Sequence, residues 1–153
     1  MFIQLSRAVM MIPIQTSTIS SLVPLGRLIE ARVSAGFPSP ADDYAEAPLS
    51  LDELTNLRAP SVFMIIVTGD SLIDIGVYNQ DILVVDRSLQ AMPSDVVIAL
   101  VQGSFTAKIL SSAKGLPVLK AANPRYPDIH ISEGEELEIW GVATHALHVL
   151  RRR

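Results

Sequence analysis

The stretch Val62-Phe63-Met64-Ile65-Ile66-Val67-Thr68-Gly69-Asp70-Ser71-Leu72 decides how this chain folds. Its apolar, partly β-branched run is typical of a buried strand, and the run stops at a Gly-Asp-Ser turn. A buried strand followed by this turn would place the Ser71 hydroxyl at the end of the strand. Further along, Phe105-Thr106-Ala107-Lys108-Ile109-Leu110 predicts a strand with one lysine among apolar neighbours. Ser71 and Lys108 are therefore a candidate nucleophile and base, with no histidine required.

The composition is that of a globular protein of ordinary size. The chain has 153 residues, of which 49% are hydrophobic and 18% charged, which is enough for one core. The formal net charge of -4 argues against a duplex-DNA binder, which would present a basic face. We interpret the terminal arginines at 151–153 as a solvated tail.

Several classes of site are excluded or unsupported by the residue types. The chain has no cysteine, which rules out disulfides, cysteine-ligated metals and thiol catalysis. The three histidines lie at strand-like positions without a second ligand pattern, so we expect no metal and no cofactor. No run reaches the ~18 apolar residues that a membrane helix needs. We expect a soluble protein in the cytoplasm.

From residue 61 onward the pattern predicts a mostly β fold. The candidate strands are residues 62–68, 81–86, 95–101, 104–110, 117–121 and 137–150, the last interrupted near Gly141. Short helices are predicted after Ser50, which would cap the first of them, and near Ser71. Before this body, residues 25–33 have the spacing of a short helix. Residues 34–48 are rich in Pro, Gly and Asp and predict an extended segment.

The chemistry of Ser71 requires an uncharged base. An exposed lysine titrates near ~10.4, so Lys108 could accept a proton at neutral pH only if burial lowers its pKa. It must also lack a carboxylate partner. Asp70 is the nearest candidate, and the sequence leaves open where its side chain points. The small pair Ala35-Gly36, within the extended proline-flanked segment, is a candidate scissile bond, because protease clefts bind extended backbone.

These motifs in series resemble the self-cleaving LexA/UmuD serine peptidases, and the likeness extends from about residue 34 to the C-terminus. The segments that carry it are Ala35-Gly36-Phe37-Pro38-Ser39-Pro40-Ala41-Asp42-Asp43-Tyr44, Gly69-Asp70-Ser71-Leu72-Ile73-Asp74, Asp81-Ile82-Leu83-Val84-Val85-Asp86, Gly103-Ser104-Phe105-Thr106-Ala107-Lys108-Ile109-Leu110, Asn123-Pro124-Arg125-Tyr126-Pro127 and Trp140-Gly141-Val142. The interval from Ser71 to Lys108 also matches the family. Leu72 stands where the family usually has Met, and Ala35 where UmuD proteins often have Cys.

The resemblance implies a function and a domain organisation. It implies an extended N-terminal arm, residues 1–35, that self-cleavage removes, an extended linker at 36–49 and a β-rich Ser/Lys peptidase domain at 50–153. Lys108 would activate Ser71 for attack on the bond between Ala35 and Gly36, promoted by a RecA filament on single-stranded DNA. The processed chain would form a homodimer and join a Y-family, UmuC-like polymerase subunit in SOS mutagenesis. The 34 residues before the site favour the UmuD branch, because a LexA repressor needs a helix-turn-helix module there.

Three alternatives come from other classes. Gly69-Asp70-Ser71-Leu72 is the literal signature of the GDSL esterases, but those enzymes need a late Asp-x-x-His, which His130, His145 and His148 do not provide. Type I signal peptidases use a Ser/Lys pair but need a membrane anchor. The third alternative is a non-catalytic interaction or dimerisation module of the same fold that regulates a polymerase or a repressor.

Overall fold

The computed structural model of the chain describes residues 11–12, 26–29 and 46–151. These residues contain ten strands, one α-helix and one 3₁₀-helix. In chain order they are β1 (Met11–Ile12), β2 (Gly26–Ile29), β3 (Glu46–Leu49), α1 (Leu51–Thr55), β4 (Val62–Ile66), the 3₁₀-helix (Ile73–Ile75), β5 (Ile82–Asp86), β6 (Val96–Val101), β7 (Ser104–Ala113), β8 (Leu116–Lys120), β9 (Ile129–His130) and β10 (Glu138–Leu147). The prediction of a mostly β fold with short helices is confirmed.

The chain divides into two units, and the smaller one spans Thr16–Arg58. In it β2 and β3 form an antiparallel pair, and α1 follows directly after Ser50. The helix predicted at residues 25–33 is wrong where it is described, because residues 26–29 are strand β2. The local spacing could not reveal this, since the strand depends on hydrogen bonds to a partner about 20 residues away. The helix after Ser50 is confirmed, but the Ser50 side chain makes no capping hydrogen bond.

The larger unit comprises Met1–Gln15 and Ala59–Arg153. Its described strands form one antiparallel sheet in the order β1-β4-β5-β10-β6-β7-β8-β9. All six strands predicted from residue 61 onward are present, with ends that differ by up to three residues from the prediction. Strands β1 and β9 were not predicted, because two residues are too few to produce a recognisable alternation.

The interruption predicted in the last strand is a pair of irregularities in β10. The register with β6 shifts between Ile139 and Gly141, and the register with β5 shifts between Ala143 and His145. A side chain at Gly141 would have its Cβ 2.7 Å from Val85 Cγ1. Glycine therefore permits the close approach of β10 to β5 at this bulge.

The main core of this unit lies between strands that are distant in the sheet order. One buried cluster joins Ile65 of β4, Leu83 of β5 and Ile98 of β6 with Leu72 beyond the end of β4, and Phe105 of β7 packs against it. Three strands separate β4 from β7 in the sheet, so the sheet curves until these two face each other. This curvature brings the turn after β4 next to the start of β7.

Candidate active site

Ser71 lies in a turn that other parts of the chain hold in place. The turn begins at Gly69, whose φ of +94° is a conformation that residues with a Cβ rarely adopt. The Gly69 N–H donates to Asn79 Oδ1 at 3.0 Å, and the Ser71 carbonyl accepts the Ala122 N–H at 2.8 Å. The next side chain, Leu72, is 1% exposed. Burial of Leu72 and these hydrogen bonds fix the position of the Ser71 hydroxyl.

Lys108 reaches this hydroxyl from β7. Its side chain is only 8% exposed, and its Nζ lies 3.0 Å from Ser71 Oγ. The amine also donates to the Ala107 carbonyl at 3.2 Å, and it lies 5.9 Å from the centre of the Tyr126 ring. Burial lowers the pKa of Lys108 below that of a free lysine, because it disfavours the ammonium. Ser71 and Lys108 therefore lie at hydrogen-bonding distance in a site where burial disfavours the ammonium.

The Asp70 carboxylate, whose direction the sequence left open, is bound by side chains other than Lys108. It accepts a hydrogen bond from Tyr126 Oη at 2.5 Å and pairs with Arg125. These partners lower the pKa of Asp70, the Tyr126 hydrogen bond most strongly. The Asp70 carbonyl accepts a hydrogen bond from Asn123 Nδ2 at 2.9 Å. Among residues 48–151, no carboxylate forms an ion pair with Lys108.

Ser71 and Lys108 both line a cleft of about 230 Å³. One wall is formed by residues 65–71, at the end of β4, and the other by residues 104–108 of β7. Leu83 and Ile98 of the core cluster also line it. Apolar and polar residues contribute to its lining in about equal number.

The wall formed by β7 includes a strand edge without a neighbouring strand in the described residues. Strand β7 pairs with β8 only from Ile109 onward. Leu110 exchanges backbone hydrogen bonds with the segment leading into β6, at 2.8 Å each. Because alternate residues direct their peptide groups to opposite sides of a strand, Phe105 and Ala107 direct theirs away from β6 and towards the cleft. The Ala107 carbonyl that accepts the Lys108 amine is one of these groups.

Of the four predicted site residues, the structure describes Ser71 and Lys108. It brings Ser71 and Lys108 together, although 37 positions separate them in the sequence. Ala35 and Gly36 lie outside the described residues. Trp140 packs edge-on against Phe63 and Phe105 of the larger unit. No group of three or more His, Asp or Glu residues within the described ranges is arranged to hold a metal ion.

Sequence reasoning did not assign a role to the residues around Asp70. Asn123, Arg125 and Tyr126 contact Asp70 across 53 to 56 positions of sequence. In the sequence, the segment that contains them stands out only through the family resemblance. No local pattern predicts which acidic group a distant arginine or tyrosine will contact.

Comparison with known proteins gives one family and several relatives. The family model described as Peptidase S24-like matches residues 27–144. The chain is 39% identical to Protein SamA of Salmonella typhimurium over 124 residues, which is 81% of this chain and 86% of SamA. It is 39% identical to Protein MucA of Escherichia coli over 117 residues, covering 76% and 80% of the two chains. It is 32% identical to the LexA repressor of Stenotrophomonas maltophilia over 111 residues, covering 72% of this chain and 52% of the repressor.

In the part of the chain that the structure describes, no helix is long and apolar enough to cross a bilayer.

Proposed function

We propose, because this chain belongs to the Peptidase S24-like family, that it is a serine endopeptidase which cleaves itself between Ala35 and Gly36. The observation that carries the proposal is the distance of 3.0 Å between Ser71 Oγ and Lys108 Nζ. The two groups meet in a cleft, and the amine is 8% exposed. A serine needs a base close to its hydroxyl to become a nucleophile, and a buried lysine without a carboxylate partner can supply one.

The reaction follows from the properties of these two groups. Neutral Lys108 takes the Ser71 proton while Ser71 Oγ attacks the Ala35 carbonyl carbon, and backbone N–H groups near Ser71 stabilise the resulting oxyanion. The Lys108 ammonium then donates its proton to the Gly36 nitrogen as the peptide bond breaks. This leaves an ester between Ala35 and Ser71. Water, deprotonated by the same amine, hydrolyses the ester and restores Ser71.

The strand edge at Phe105 and Ala107 supports binding of an extended substrate. Peptide groups at an exposed edge can pair with an added strand, and this mode gives affinity through backbone hydrogen bonds. A segment paired with this edge would run along the cleft that contains Ser71 and Lys108. The Pro-rich composition of residues 34–48 suits this role, since these residues favour an extended conformation.

The cellular role that we propose is that of the UmuD-like branch of the family. A RecA filament on single-stranded DNA promotes the cut, and the fragment 36–153 forms a homodimer that joins a Y-family, UmuC-like catalytic subunit in error-prone translesion synthesis. This role in the SOS response implies a cytoplasmic location. The similarity over 86% of SamA, against 52% of the LexA repressor, supports this branch.

The proposal is tested by intact-mass analysis of the chain after incubation with RecA, single-stranded DNA and a nucleotide. We expect a fragment with the mass of residues 36–153. Ser71→Ala and Lys108→Ala should abolish it. Ser112→Ala is the matched control, because Ser112 is an exposed serine on β7 and its loss should leave the fragment unchanged. A cut elsewhere would overturn the assignment of Ala35 and Gly36, and no cut in the unaltered chain would favour the non-catalytic module.

A further inference from the structure

A carboxylate stands immediately before the proposed nucleophile, in a site whose base must be uncharged. Asp70 precedes Ser71, and Ser71 Oγ lies 3.0 Å from the Lys108 amine. An opposite charge within about 4–6 Å of a lysine favours the ammonium. If the Asp70 side chain were free to approach Lys108, it would stabilise the ammonium and so oppose the role of Lys108 as a base.

The structure shows two side chains that restrain the Asp70 carboxylate. Tyr126 Oη donates to one oxygen at 2.5 Å, and the Arg125 guanidinium pairs with the other. The Asp70 side chain is 32% exposed, so contact with solvent alone would leave it free to rotate. The two hydrogen bonds to its carboxylate hold it in one direction, and they are of the strong, charge-assisted kind.

The residues that restrain Asp70 are themselves anchored. Asn123 accepts the Arg125 N–H through its Oδ1 at 3.1 Å and donates to the Asp70 carbonyl at 2.9 Å. Asn123 is 6% exposed. The same segment places the Tyr126 ring 5.9 Å from Lys108 Nζ. One segment therefore binds the Asp70 carboxylate and also places an aromatic ring near the Lys108 amine.

Other charged groups on the strands beside Lys108 are directed elsewhere. Its partner on β6 is Val97. At the start of β6, the Asp95 carboxylate accepts the Met92 N–H at 2.7 Å. On β8, Lys120 is paired with Ile109. Ile109 follows Lys108 along β7, so its side chain lies on the opposite face of the sheet from that of Lys108. Lys120 shares the face of its partner Ile109. Among the residues that line the cleft together with Lys108, Asp70 is the one carboxylic acid.

We infer that Arg125 and Tyr126 are positioning residues that hold the Asp70 carboxylate away from Lys108, so that the amine has no anion to pair with. The inference rests on the proposed role of Lys108 as the base. The contacts of Asp70 with residues 123–126 also have a structural consequence, because they hold the turn that contains Ser71 against this segment.

The test is an NMR titration of the Lys108 side chain, which does not depend on cleavage. All chains carry Ser71→Ala so that they remain intact, and the Lys108 Cε signal is identified by its loss in Lys108→Arg. Tyr126→Phe with Arg125→Lys removes the hydroxyl and the guanidinium fork while the net charge stays the same. We expect the Lys108 midpoint to rise by about 1–3 pH units in this chain. Adding Asp70→Asn should cancel the rise.

Controls separate this effect from a general loss of structure. Tyr78→Phe alters a tyrosine that is 41% exposed, against 40% for Tyr126, and should leave the midpoint unchanged. If the double variant does not fold, Tyr126→Phe alone should still raise the midpoint. An unchanged midpoint, or a rise that persists with Asp70→Asn, would overturn the inference. If the chain with Ser71 in place cleaves itself but the midpoint is unchanged in the double variant, only the positioning role is refuted. Failure of the proposed function itself would be seen as no 36–153 fragment from the unaltered chain in the cleavage assay.

Discussion

Replacing Lys108 with methionine should stabilise the folded chain at neutral pH, although it removes the proposed base. Lys108 is 8% exposed and has no carboxylate partner within residues 48–151. Folding therefore takes its amine out of water without an opposite charge in return. Methionine has a similar shape and no charge, so it fills the same space at no electrostatic cost.

The size of the effect follows from linkage between folding and protonation. Each unit by which folding lowers a pKa costs about 1.4 kcal/mol of stability while the group is protonated in the unfolded chain. Because the folded pKa of Lys108 is depressed, the cost is fully present below the folded pKa and disappears as pH rises through the unfolded value of ~10.4. We expect Lys108→Met to raise the free energy of unfolding by about 1–3 kcal/mol at pH 7 and by less at pH 10.

Urea unfolding at both pH values measures this difference. Both chains carry Ser71→Ala, which keeps them intact and removes the Ser71 hydrogen bond from the comparison. Lys120→Met is the matched control, because Lys120 is an exposed lysine on β8, and its replacement should change stability by less than about 0.5 kcal/mol. Destabilisation by Lys108→Met at pH 7, or a gain that does not shrink at pH 10, would refute the account of a desolvated amine.

Two further predictions concern the framework around the site. Gly141→Ala should destabilise the chain by about 1–3 kcal/mol, measured by urea unfolding, because its Cβ would lie 2.7 Å from Val85 Cγ1; unchanged stability would contradict the close packing of β10 on β5. Asp81→Ala should cost about 1–3 kcal/mol, because the 2% exposed Asp81 accepts the Tyr78 N–H at 2.8 Å and contacts His148 at 2.5 Å. Asp128→Ala, at an exposed aspartate, is its control and should be neutral in the same assay.

The fold of the larger unit could be predicted because its strands follow local rules. Alternating and β-branched runs separated by turns predicted six of the strands from residue 61 onward, and Gly141 indicated the irregularity in β10. The two-residue strands β1 and β9 were too short to leave such a pattern. In the smaller unit, the prediction was wrong at residues 26–29, which are a strand. Their helical spacing competes with pairing to Glu46–Leu49, and pairing over such a distance leaves no local signal.

The candidate site was predictable in its chemistry and not in its surroundings. Ser71 and Lys108 could be selected because a strand-end serine and a lysine among apolar neighbours are unusual, and a family resemblance joined them. The direction of the Asp70 carboxylate could not be predicted, since it depends on Arg125 and Tyr126 from a distant turn. The β7 edge at Phe105 and Ala107 also emerges only from the sheet register, because it depends on where β8 begins to pair.

The most direct measurement is the pH dependence of self-cleavage compared with the titration of Lys108. In the unaltered chain without any partner, the first-order rate of appearance of the 36–153 fragment is followed by intact mass from neutral to alkaline pH. We predict that the rate rises with pH, with a midpoint that coincides with the NMR titration of Lys108 and lies below that of a free lysine. The account would be contradicted by a cleavage rate whose pH dependence does not follow the titration of Lys108. It would also be contradicted by a fragment that still forms when Ser71 is replaced by alanine.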